Sequence, residues 1–179
     1  MTADAALTVR LLTDALERVH DDLHVHIAGL DVAALSWRPD PEANSMGWLV
    51  WHLSRVADDH FSGIATELDL PGQTQRWLED GWYERFSLPF DQLEHGYGQT
   101  STDVAAVRVS ADLLLGYYDD VHVHSLSVLS GLRSDSFDRI VDVRWTPHVT
   151  AAVRLVSIVN ELAQHTGQVG YLRGMWERR

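Results

Sequence analysis

The chain has 179 residues, 45% hydrophobic and 22% charged, with a formal net charge of −12; those proportions describe one globular domain with a real core. The acidic balance argues against nucleic acid and anionic membrane surfaces as partners, since both need basic patches. No leader and no apolar run of about 18 residues is visible, so a cytoplasmic protein is expected. With no cysteine in the chain, disulfides, thiolate ligands and a cysteine nucleophile are excluded, and any thiol chemistry must use a thiol from outside. All 14 basic residues are arginine, which excludes a Schiff-base lysine and a phosphate-loop lysine.

In chain order, Val9, Leu12, Leu16, Val19, Leu23 and Ile27 recur at three- and four-residue steps and predict a first helix over 5–28, stopped by Gly29. A loop follows through Pro39-Asp40-Pro41. A second helix starts at Asn44-Ser45, carries Leu49, His52, Leu53, Val56 and Ile64 on one stripe, and fades near Leu68. Residues 69–100 lose periodicity but keep Trp77, Trp82, Tyr83, Phe86, Phe90 and Tyr97. That length and aromatic content fit a long crossover packed on a four-helix bundle. A third helix is predicted from 101–103 to 129, with Val104, Val107, Ala111, Leu114, Tyr118 and Val121 inward and Gly131 as its stop. The alternation Phe137, Arg139, Val141, Val143, Trp145 predicts an extended stretch with no evident partner. A last helix runs from about 150 to 176. The expected fold is all-α, a single four-helix bundle with one crossover and one short extended segment.

Within the apolar sector of the last helix stand Glu161 and His165. Four residues apart, they share one helix face. His52 stands in the apolar stripe of the second helix. A divalent cation is the simplest thing that makes burial of three such groups favourable. Two imidazoles and one carboxylate leave coordination positions open, the ligand count of catalytic zinc, and equally the facial triad of non-haem iron.

Other histidines compete. His20 and His24 share the same spacing but neighbour Asp21 and Asp22, and read as solvated. His122 and His124 point to different sides of a helix. His60 is on an adjoining face to His52, Asp59 reads as an exposed or supporting acid, and His148 reads as a capping or surface residue. Gly167, Gly170 and Gly174 sit in a helix with no strand before them, so they read as packing positions and not as a nucleotide loop.

Gly47-Trp48-Leu49-Val50-Trp51-His52-Leu53, Val149-Thr150 with Arg154 to Ser157, and Glu161 to Gln168 followed by Tyr171-Leu172-Arg173 together resemble the DinB/YfiT-like bundle proteins. The likeness is to the actinobacterial, mycothiol-dependent branch that includes maleylpyruvate isomerases. The resemblance implies an up-down-down-up bundle with an interior metal site. The family's commoner His-x-x-x-His is Glu161-x-x-x-His165 here, as in that branch, and the carried-over ligands are His52, Glu161 and His165. It further implies zinc, with nickel or iron(II) as alternatives, mycothiol as cosubstrate, thiol S-transferase or isomerase activity on a small electrophile, and a homodimer. Arg173 is a candidate substrate contact. A metal-dependent hydrolase would need a general base that the sequence does not reveal. A non-catalytic, metal-pinned bundle is the other rival.

Overall fold

The computed structural model describes residues 3–179. Four long helices carry the fold: α1 (Ala3–Ile27), α3 (Met46–Glu67), α7 (Ala111–Gly131) and α8 (Ala151–Glu177). Between them lie short helices α2 (Val32–Leu35), α4 (Arg76–Glu79), α5 (Trp82–Phe86) and α6 (Ser101–Ala106), and a hairpin of β1 (Ile140–Asp142) and β2 (Val149–Thr150). Each of α1 and α3 packs against both α7 and α8. Contacts fix the directions. Arg55 meets Tyr117 and Ser62 meets His124, so α3 and α7 run parallel. His52 meets Glu161 and His60 meets Arg154, so α3 and α8 run antiparallel. The result is the expected all-α bundle.

The helix starts are chemically marked. Ser45 accepts from the Trp48 N–H at 3.1 Å, and Thr150 caps α8 through the Val153 N–H, each satisfying a donor that the first turn leaves orphaned. The next orphans of α8 find the segment before β1, where Ala151 N–H donates to the Arg139 carbonyl and Ala152 N–H to that of Phe137. Leu23, Ile27, Leu49, Trp51, Leu53, Tyr117, Val121 and Val169 form the bundle interior. Burying each such side chain contributes about 1.5–3 kcal/mol.

Three expectations are corrected. The single helix from 101–103 to 129 is two helices, separated at 107–110. The Ser110 side chain accepts from the Leu113 N–H and starts a fresh helix, competing with continuation of the first. Val104, Val107, Ala111 and Leu114 are buried on both sides of the break, so the apolar spacing conceals it. The loop after the first helix contains α2, capped by Asp31 through the Ala34 N–H. The extended stretch over 137–145 narrows to Ile140–Asp142, and its antiparallel partner is Val149–Thr150, immediately before α8.

The crossover is tied down by one buried acid. Asp58, fully enclosed on α3, accepts from the main-chain N–H of Arg76 at 2.9 Å and of Trp77 at 2.8 Å, and from the Tyr117 hydroxyl at 2.9 Å. Burial pushes its carboxyl pKa up, and these donors together with Arg55 oppose that. Arg55, itself buried, donates to the Glu94 and Gln92 carbonyls and to Gln75. Two adjacent turns of α3 thereby set the position of residues 75–94, and through them the loop at His95.

Candidate metal centre

His52 sits mid-way along α3, one turn after Trp48. The two rings stack at 4.7 Å and 15°, which fixes the imidazole plane. The His52 Nδ1–H donates to the main-chain carbonyl of His95. A carbonyl can only accept, so the proton is on Nδ1 and Nε2 carries the lone pair of the neutral ring. Burial lowers the His52 pKa, partly offset by the His95 bond, so the neutral ring is the form present at neutral pH.

On α8, the His165 Nδ1–H donates to Gln168 Oε1 at 3.0 Å. Its Nε2 lies 2.8 Å from Glu161 Oε1. His52 Nε2 lies 3.2 Å from that same oxygen. With both Nδ1 protons committed elsewhere, two imidazole lone pairs and a carboxylate oxygen converge with no proton between them in the neutral rings. All three ligand atoms fall within 4.8 Å of one another. Ligand atoms held ~2.0–2.1 Å from a tetrahedral ion are about 3.3 Å apart, so the residues fit a small divalent cation. Supporting hydrogen bonds from the outer ring nitrogens are what metal-binding histidines ordinarily have.

The structure brings together His52 on α3 with Glu161, 109 residues later in sequence, and His165 on α8. Arg173 is not part of the group. It lies about three turns further along α8, donating to the carbonyls of Val25 at 2.7 Å and His26 at 2.8 Å and to Glu177. It caps the C-terminal end of α1, where a cation is favoured by the helix dipole.

Beside the three residues opens a cavity of about 730 Å³, lined among others by Asp59, His60, His95, Tyr97, Trp145 and Arg154. Its far wall is the β-hairpin. Asp142 accepts from Arg154 at 2.6 Å and Arg144 at 2.9 Å, and Arg154 also donates to His60 Nε2 at 3.2 Å. Hydrogen bonds from Arg144 hold the Asp142 carboxyl far below the usual carboxylate range. Sequence reasoning missed His95 and Gln168. Gln168 stands three residues after His165, a spacing that places it on the same helix face. His95 acts through a main-chain carbonyl, which residue type does not announce.

A family model described as the DinB superfamily matches residues 15–169. The chain belongs to the DinB superfamily. This DinB-superfamily chain is also similar to the crystal structure of a conserved protein from Enterococcus faecalis, with 27% identity, a TM-score of 0.85, and coverage of 100% of this chain and 99% of that one. No curated protein matches it. Among the described residues, no helix is long and apolar enough to cross a membrane.

Proposed function

We propose that this chain is a metal-dependent enzyme that uses a low-molecular-weight thiol, mycothiol in the first instance, as cosubstrate in S-transfer to, or isomerisation of, a small electrophile. The observation that carries this reading is the convergence of two imidazole lone pairs and one carboxylate at the edge of the cavity. His52, Glu161 and His165 would hold a divalent ion, zinc first, with nickel or iron(II) as alternatives. One carboxylate on a doubly charged ion leaves the site at net +1, suited to one incoming anion. The ion, when bound, supplies a Lewis acid that lowers the pKa of a coordinated thiol from its ordinary value of about 8.5.

The chain's own residues supply the rest. Trp48 and the His95 carbonyl orient His52, and Gln168 orients His165. The cavity exceeds the ~300 Å³ at which small-molecule pockets begin. Tyr97 and Trp145 expose their rings along it, giving flat apolar surface against which a thiol and an unsaturated electrophile can lie. Arg144 in the hairpin and Arg154 on α8, both shared with Asp142, line the cavity and suit an electrophile that carries a carboxylate. A cytoplasmic location, where free thiols stay reduced, is part of the proposal.

One observation favours a second reading. Asp59 lines the same cavity, and the hydrogen bond from His60 lowers its pKa, so it is an ionised carboxylate able to act as general base toward water in a hydrolase. Incubation of the zinc-loaded protein with mycothiol and a model electrophile separates the readings. Conjugate formation that matches thiol loss, and that vanishes in His52→Ala, supports thiol transfer. Turnover without thiol that is lost in Asp59→Asn supports hydrolysis instead. No turnover with either, from protein that holds its metal, leaves a bundle that metal only pins.

A further inference from the structure

A second convergence lies between α1 and α7, helices that take no part in the first. His20 and His24 stand one turn apart on α1, and Asp119 faces them from α7. His20 Nε2 is 3.0 Å and His24 Nε2 is 2.8 Å from the same oxygen, Asp119 Oδ1. The three ligand atoms lie within 4.8 Å of one another. The other ring nitrogen of His20 faces Asp21 Oδ1 at 3.4 Å, an acceptor, so in the neutral ring the Nε2 lone pair is turned toward Asp119. The His122 ring, one turn after Asp119, stacks on His20 at 4.6 Å and 28°, and Tyr118 lies behind it at 6.2 Å from each of the two imidazoles. The His20 plane is therefore fixed by its neighbours as the His52 plane is by Trp48.

The donor set repeats that of the first centre: two imidazole nitrogens at (i, i+4) or across helices, plus one carboxylate oxygen, with 2.8 and 3.0 Å separations close to the roughly 3.3 Å edge of a tetrahedral ion. Hydrogen bonding alone explains only half of this: His24 Nε2 can donate to Asp119 Oδ1, but His20 Nε2, with the ring proton on the Asp21 side, meets that same oxygen lone pair to lone pair at 3.0 Å. A cation among the three uses the same geometry with every lone pair directed at it. The surroundings also differ from those of the first centre in a telling way. All three residues are part-exposed, and none of them lines the cavity beside the first centre.

We propose that His20, His24 and Asp119 form a second metal site, selective for a borderline divalent ion such as zinc, that fastens α1 to α7 and does no chemistry. Two imidazole donors to one carboxylate disfavour magnesium and calcium, which take oxygen ligands, and favour zinc, nickel or copper. Water completes its coordination on the open side. Its role is to staple the bundle edge opposite the α3–α8 pair, so that zinc raises the unfolding temperature through contacts that reach neither the cavity nor His52.

The test uses the full chain, stripped with a chelator, reloaded with zinc and measured for bound metal per chain. Wild type holds two ions. His20→Gln/His24→Gln holds one and keeps its conjugation activity, and Glu161→Gln/His165→Gln holds the other one and has none. Asp119→Asn, nearly isosteric, binds the second ion at least about tenfold more weakly. Should any of these fold poorly, cobalt(II) absorption of wild type, read as one or two sets of visible bands during titration, gives the stoichiometry without a variant. One ion in wild type with no loss in His20→Gln/His24→Gln overturns the proposal and leaves the first centre intact. One ion that disappears with His20 and His24 while Glu161→Gln/His165→Gln changes nothing supports the second site and overturns the first.

Discussion

Gly96→Ala isolates the link between the crossover and the candidate metal centre. Gly96 has φ +100, and a Cβ there would lie 2.6 Å from His52 Nδ1 and 3.0 Å from Trp48 Cζ2. Ordinary packing needs about 3.5 Å, so the His52 ring must give by roughly 0.9 Å. Metal–ligand distances tolerate about 0.2 Å. The loop cannot simply retreat, because Arg55 holds the Glu94 carbonyl at 3.1 Å and the Trp48 Nε1–H holds Gln99 at 2.8 Å. The displaced ring loses the His95 carbonyl, and loss of such an orienting partner costs about 10–100-fold in metal affinity. Gly98→Ala is the control. Gly98 also has a left-handed φ, +77, but nothing lies within 4 Å of its Cβ. Both variants should lose about 1–2 kcal/mol of stability to backbone strain. Only Gly96→Ala should lose metal affinity, measured by competition with a chelating dye. Equal affinities in the two variants would refute the reasoning.

Asp58→Asn keeps the volume but removes the charge beside buried Arg55 and one of the two oxygens that accept from the main-chain N–H groups of Arg76 and Trp77; it should cost about 3–5 kcal/mol, or roughly 6–20 °C in melting temperature for a chain of this size, and a loss below about 1 kcal/mol in urea unfolding would contradict the clamp. The hydrogen bonds from Arg144 depress the folded-state pKa of Asp142, so its stabilisation is present above the ordinary value near 3.9 and is lost as pH falls through the depressed one. Melting curves below about pH 4 should therefore fall less steeply in Asp142→Asn than in wild type, and superimposable acid limbs would rule this out. His124 is buried against Ser62 and burial lowers its pKa; its contribution is present above the unfolded value of about 6.5 and is lost as pH drops from there toward the depressed value. His124→Gln should lack that step. Trp48→Phe should weaken metal binding by less than Gly96→Ala does, because a smaller ring still covers His52.

The long helices were readable because each buries one stripe, and stripes recur at three and four residues. The convergence of the candidate ligands was foreshadowed for the complementary reason: His52 and Glu161 interrupt such stripes with groups that packing does not want. What escaped the sequence follows from the same physics. The break at 107–110 lies inside an unbroken apolar spacing, and only the Ser110 cap reveals it. His95 serves through its carbonyl, a group every residue has. The extended stretch was visible as alternation, but its partner is two residues long, too short to carry a pattern. His20 and His24 looked solvated because their partner, Asp119, is 95 or more residues away on another helix. Spacing on one helix cannot show what the facing helix brings.

Anomalous diffraction at the zinc edge, from crystals of the full chain grown with zinc, addresses the main assertion head-on. A peak bonded at about 2.0–2.2 Å to His52 Nε2, His165 Nε2 and Glu161, with Nδ1 of each ring still on His95 and Gln168, is the predicted result. Zinc-replete crystals with no density among those three side chains, or with the rings turned so that their Nε2 atoms diverge, would contradict it.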